Sequence, residues 1–137
     1  MLVAADSSAI VKLVLAEEGS QLARLAWEEA DAVQATRLVR VEAAAAVAAA
    51  RRAGRIRRTG EGRAHAGLES AWQDVVTIEL NEALEGQAAL LARTHPISGA
   101  DAVHLAAALA TGATLLTWDQ RLAAAASAEG LAVIPQG

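Results

Sequence analysis

The chain has 137 residues, a formal net charge of −4 and no cysteine, Phe or Tyr. That length suits one domain over 1–137, and the missing thiols exclude a disulfide framework and a thiolate zinc site. Hydrophobic residues reach 54%, much of it alanine, which points to helices packed closely on a sheet, with aromatic contacts left to Trp27, Trp72 and Trp118.

In chain order, LVAA (2–5) is an unalternating apolar run that suits a central parallel strand covered on both faces. No basic segment precedes it and it ends at Asp6, so no secretory signal is expected. Asp6-Ser7-Ser8 is helix-start chemistry, and 9–15 continue as a short helix. Gly19-Ser20 opens a second helix to about Ala30, and Ala32–Thr36 is a second strand. Residues 37–52, rich in alanine, form the strongest helix. Gly54 ends it, and 55–72 are helical despite Gly60, Gly62 and Gly67. Val75–Leu80 is a third strand, and Asn81 caps a helix through Arg93. After the His95-Pro96 break, Ser98 caps a helix over 99–110 that Gly112 terminates. A fourth strand (113–117), a helix from Asp119 to Glu129 and a fifth strand at Leu131–Ile134 complete the chain. The stretch 102–118 carries no formal charge but is interrupted at Thr111-Gly112, so it reads as buried helix, turn and buried strand rather than a membrane span. A soluble cytoplasmic protein is expected. The alternation predicts an α/β fold with a mostly parallel five-stranded sheet.

Four acids stand out because each interrupts apolar sequence: Asp6 in VAAD, Glu42 in VEAAAA, Asp101 in GADAV and Asp119 in LLTWD. Ligands in open α/β sheets bind beyond the carboxyl ends of strands, where strand order reverses. If strands one and four are neighbours there, Asp6 and Asp119 face one another, and the turn before Asp101 reaches the same edge. Each acid also has a structural role open to it. Asp6 and Asp119 fit as N-caps, Asp101 as part of a capping box from Ser98, and Glu42 as a surface residue beside Arg37 and Arg40. Only the set points to one site. Carboxylates crowded in a cleft repel each other unless protonated or neutralised by a cation. Oxygen-only donors select a hard ion, Mg²⁺ or Mn²⁺.

VAADSSAIVKL (3–13), VRVEAAAAV (39–47), SGADAVHLAAAL (98–109) and LLTWDQRL (115–122) together resemble a PIN domain, in particular the toxin of VapBC-type toxin–antitoxin pairs. The resemblance spans nearly the whole chain. It implies a three-layer α/β/α sandwich and Mg²⁺- or Mn²⁺-dependent endoribonuclease activity, with a small cognate antitoxin, an RNA substrate and a homodimer. It also implies that Asp6, Glu42, Asp101 and Asp119 bind the metal and orient the attacking water, with the Ser7 hydroxyl in support; from its place on a helix flank, Glu42 is expected to stand farthest from the ion and to act through water. A catalytically inactive PIN-fold binding module is the alternative. A receiver-like fold lacks its phosphoacceptor, since Asn81-Glu82 follow the third strand.

Six of the 12 basic residues fall in 51–63. Arg51, Arg52, Arg55, Arg57 and Arg58 are therefore candidates for RNA backbone contact, against a solvated turn or a protein contact. Lys12 either balances the acids, contacts phosphate or lies on the surface. His104, three residues after Asp101, reads as core, with metal ligation the minor alternative; His65 and His95 read as structural. Trp118 packs at the rim of the site or stacks on a base.

Overall fold

The structure, a computed structural model, describes residues 1–136. Five strands run β1 (Leu2–Ala5), β2 (Ala32–Thr36), β3 (Val75–Ile78), β4 (Thr114–Leu116) and β5 (Val133–Ile134), and all pairings are parallel in the order β3-β2-β1-β4-β5. Seven helices accompany them: α1 (Ser7–Val14), α2 (Ser20–Glu29), α3 (Arg37–Arg52), α4 (Arg58–Trp72), α5 (Glu82–Thr94), α6 (Gly99–Thr111) and α7 (Gln120–Ala128). The expected α/β sandwich is present, and its sheet is fully parallel among the described residues.

β1 is central, and its side chains divide between the two faces. Ala4 joins a core with α5, α6 and α7, whereas Val3 and Ala5 pack toward Ala9 and Trp27. α1, α3 and α4 close the second layer around Ile10, Val39, Val47 and Leu68. Unbroken apolarity in LVAA follows from this two-sided burial. α6 is the most enclosed helix, with Ala102 through Ala108 buried without a break. Its alanines let it sit close to the sheet, where Gln34 Nε2 donates to the Ala107 carbonyl at 3.1 Å. The uncharged stretch 102–118 is therefore helix, turn and strand, and no described helix is long and apolar enough to cross a membrane.

Several boundaries differ from expectation: β5 starts at Val133 rather than Leu131, β4 covers Thr114–Leu116 rather than 113–117, α1 starts at Ser7, and two more bear on charged residues. β3 ends at Ile78 rather than Leu80, because its partner β2 ends at Thr36, opposite Ile78. Glu79 instead pairs with Arg37, whose Nε donates to it at 2.7 Å. α4 begins at Arg58, so Arg55 and Arg57 belong to the turn that Gly54 opens at φ +77°.

Candidate metal centre at the carboxyl edge of the sheet

The chain visits β1, β2 and β3 on one side and then returns to pair β4 with β1, Ala5 opposite Leu116. Strand order reverses at that pair, and a parallel sheet opens a crevice there. Asp6 follows β1 and Asp119 follows β4, so the topology sets them side by side.

Asp6 is 3% exposed. Its carboxylate accepts from Ser8 Oγ at 2.6 Å, from the Ala9 N–H at 3.0 Å and from Thr117 Oγ1. Burial pushes the Asp6 carboxyl above its ordinary value, against the opposing effect of these donors and of His104. Thr117 Oγ1 also accepts the Asp119 N–H at 3.0 Å, so one hydroxyl ties two acids together. Asp119 caps α7 by accepting from the Leu122 N–H at 2.9 Å. Asp101 lies in the first turn of α6, where Ser98 Oγ accepts its N–H at 3.1 Å. Burial is the main reason the Asp101 carboxyl sits high; the charge of Asp119 adds to it, and that of Asp6 adds less. Asp101 and Asp119 line a cleft of about 440 Å³ with Pro96, Ile97, Ser98 and Arg121.

The capping roles and the shared cleft thus coexist. Asp6 and Asp119 each spend one oxygen on a helix N-terminus, as short acidic side chains do; Asp119 still lines the cleft, while the second Asp6 oxygen accepts from Thr117. Glu42 stands apart. Its Oε1 accepts from His104 Nε2 at 2.6 Å, and His104 lies on α6 one turn beyond Asp101. Among the described residues no three His, Cys, Asp or Glu side chains stand close enough to hold a metal ion. Two of the acids, Asp101 and Asp119, line the cleft and Asp6 is buried beside Asp119, short of a finished coordination shell. This donor set still suits a hard cation. It is all oxygen, and the charges crowding Asp101 are what a cation relieves. Mg²⁺ in particular takes only one or two carboxylates and keeps several waters.

Other expectations fare differently. Ser8, not Ser7, donates to Asp6, and the Trp118 N–H donates in turn to Ser8 Oγ at 2.9 Å. Lys12 is committed elsewhere: its ammonium donates to Glu17 at 3.0 Å and to the Glu18 carbonyl at 2.8 Å, and lies 5.2 Å from the Trp118 ring centroid. Its ammonium is thus turned to Glu17 and the Glu18 carbonyl rather than to the four acids. Arg52, Arg55, Arg57 and Arg58 are exposed and Arg51 is half-buried. At ~1.5 Å per residue, the end of α3 lies roughly 15 Å along the helix from Glu42, so the basic turn is not brought to the acids. His65 lies 3.7 Å from Glu61, and His95 contacts Glu129 at 2.7 Å. The residues missed by sequence reasoning are Ser8 and Thr117, 2% exposed, and the structural use of Arg121 in the cleft wall.

Trp118 is held at the rim by Gly19. That glycine has φ +88°, and an added Cβ would lie 2.7 Å from Trp118 Nε1. Gly19→Ala is expected to destabilise the fold by at least about 1–2 kcal/mol, the cost of a left-handed alanine alone, and to shift Trp118 fluorescence. Unchanged urea midpoint and emission would refute this packing.

Residues 3–128 match the PIN domain. The chain belongs to the PIN-domain family. This PIN domain is 42% identical over 133 residues to Ribonuclease VapC45 of Mycobacterium tuberculosis, covering 95% of this chain and 92% of that relative. Among solved structures, PAE2754 from Pyrobaculum aerophilum superposes with a TM-score of 0.75 at 19% identity, over 98% of this chain and 84% of that one. VapC20 of Mycobacterium tuberculosis, described as a Sarcin-Ricin loop cleaving toxin, gives 0.69 at 20% identity, over 94% and 95%. At those identities the two structures speak to the PIN fold alone.

Proposed function

We propose that the chain is one PIN-like domain acting as a metal-dependent endoribonuclease, the toxin of a toxin–antitoxin pair. One observation carries this reading: at the strand-order reversal Asp101 and Asp119 line one cleft, and buried Asp6 is tied to Asp119 through the Thr117 hydroxyl and adds to the charge on Asp101. The identity to a named ribonuclease supports it. Asp6, Asp101 and Asp119 would hold Mg²⁺ or Mn²⁺, with Glu42 acting through water. Bound there, the ion supplies Lewis acidity that neutralises charge building on the phosphoryl oxygens. The chain's own residues fix the geometry. Thr117 and Ser8 orient Asp6, helix starts aim Asp101 and Asp119, and Glu42 orients the water that adds to phosphorus as one backbone P–O bond breaks. Purified protein is expected to cut RNA with Mg²⁺ or Mn²⁺ and to stop in EDTA. Cleavage that persists in EDTA would defeat the assignment.

A small antitoxin and a second copy of the chain are the proposed protein partners, in the cytoplasm. Exposed Leu22 and Leu25 on α2, and Leu38, Val41 and Leu80 near the start of α3, offer apolar surface for such partners. The second reading is a PIN fold kept as a binding module. It draws on the want of a finished coordination shell among the described residues. Calorimetry with Mn²⁺ separates the two, since a module without catalysis takes up no ion through these acids.

The basic turn would contact the RNA backbone. Replacing both Arg57 and Arg58 with Ala should then reduce the salt dependence of RNA binding, by roughly 0.7 in log–log slope for each single-strand phosphate no longer neutralised. An unchanged slope would remove these residues from the RNA path.

A further inference from the structure

Two buried polar residues, Thr36 at the end of β2 and His104 on α6, take no part in the proposed reaction. Thr36 ends β2 and occupies the N-cap of α3, a position where a threonine hydroxyl ordinarily accepts from the first helical N–H groups. Here it makes no such bond. Its Oγ1 lies instead 2.9 Å from His104 Nδ1. His104, 4% exposed, passes the line on through Nε2 to Glu42 at 2.6 Å. An ionised carboxylate only accepts, so Nε2 carries the hydrogen whether the ring is neutral or charged. When the ring is neutral, Nδ1 is bare and the Thr36 hydroxyl donates to it, which selects the Nε2–H tautomer. Both ring nitrogens are used, and no buried side-chain polar atom among the described residues lacks a partner.

The Thr36 contact satisfies a buried ring nitrogen, as any enclosed histidine requires; what singles His104 out is that its other nitrogen reaches a part-exposed carboxylate on a different helix. The Glu42 side chain, part-exposed on a helix flank, has no other hydrogen bond to protein among the described residues and would otherwise sample several rotamers. We propose that His104 is a positioning residue that ties the Glu42 carboxylate of α3 to α6, the helix that carries Asp101, with Thr36 fixing the ring. The role rests on the nuclease reading of the same site. Outer partners of this kind typically change metal affinity or activity by 10–100-fold.

The test uses the full chain, short RNA substrates and Mn²⁺ calorimetry. His104→Leu is expected to lower kcat and Mn²⁺ affinity by about 10–100-fold with KM for RNA little changed. His104→Gln, whose amide can still donate toward Glu42, should recover most of the loss. Thr36→Val should cause a smaller loss of the same kind. In a Glu42→Gln background, both His104→Leu and Thr36→Val should have almost no further effect, since residues acting as one unit are not additive. Equal losses with and without Glu42 would show a purely structural role and overturn the proposal. So would folded variants with wild-type kcat and Mn²⁺ affinity. If His104→Leu does not fold, Thr36→Val and His104→Gln decide the matter by the same comparison. A wild type that binds Mn²⁺ but cuts no RNA overturns the nuclease reading, and the Mn²⁺ arm then decides the positioning role alone. One that does neither overturns both.

Discussion

Asp6→Asn is expected to lower RNA cleavage by about three orders of magnitude while making the metal-free protein more stable at neutral pH. The loss follows if Asp6 is a metal ligand, because the ion supplies several kcal/mol of transition-state stabilisation, and each ~1.4 kcal/mol is tenfold in rate. The gain follows from burial. Asp6 is enclosed at 3% exposure, and its folded carboxyl titrates above the ordinary 3.8. Below 3.8 both folded and unfolded chains hold the proton. Above it the unfolded chain releases the proton first, so stability declines as pH rises through the folded pKa. Asparagine carries no charge at any pH and escapes this decline. It can also keep the cradle, accepting from Ser8 and Ala9 and donating to Thr117 Oγ1. Urea titrations in EDTA from pH 4 to pH 8 measure the effect, with Asp101 leaving a residual slope of the same sign because its carboxyl is also raised. A variant with wild-type stability and slope would mean that Asp6 ionises freely in the fold. Wild-type cleavage by the variant would remove Asp6 from the site.

Leu105→Ala should cost about 2–5 kcal/mol, a large share of the roughly 5–15 kcal/mol that holds a domain together. Leu105 is 0% exposed on α6, in the core shared with Leu84, Leu91, Leu115 and Leu122. Ala102, Ala106 and Ala108 belong to the same cluster. An alanine has no side-chain torsion with which to reach into a vacancy, so the hole stays open. Leu90, 61% exposed, is the control, and its change to alanine should stay within about 0.5 kcal/mol. Equal urea midpoints for the two variants would contradict this packing.

Much of the architecture was legible because the signals are local. Ser98, Asn81 and Asp119 cap helices where short polar side chains precede apolar periodicity. The doubly buried LVAA announced a central strand, and from it came the meeting of Asp6 and Asp119. The rest lay beyond local pattern. Ser8 and Ser7 are equivalent in the string, and only the turn of α1 decides which hydroxyl meets Asp6. Thr117 reads as one more β-branched strand residue until β4 is seen beside β1. Lys12 looked free because its partners, Glu17 and the Glu18 carbonyl, lie past the end of α1, where the chain must double back to offer them. His104 and Glu42 are 62 positions apart, and nothing near either one signals the other.

The Thr117–Asp6 contact closes a span of 111 positions, and that distance bears on timing. A ribosome must release almost the whole chain before β4 can slot against β1 and Asp119 can arrive. Until then Asp101 and Asp119 have not come together at the edge of the sheet and the cleft does not exist. An active site built from these segments would therefore be completed only at the end of synthesis, as a consequence of topology.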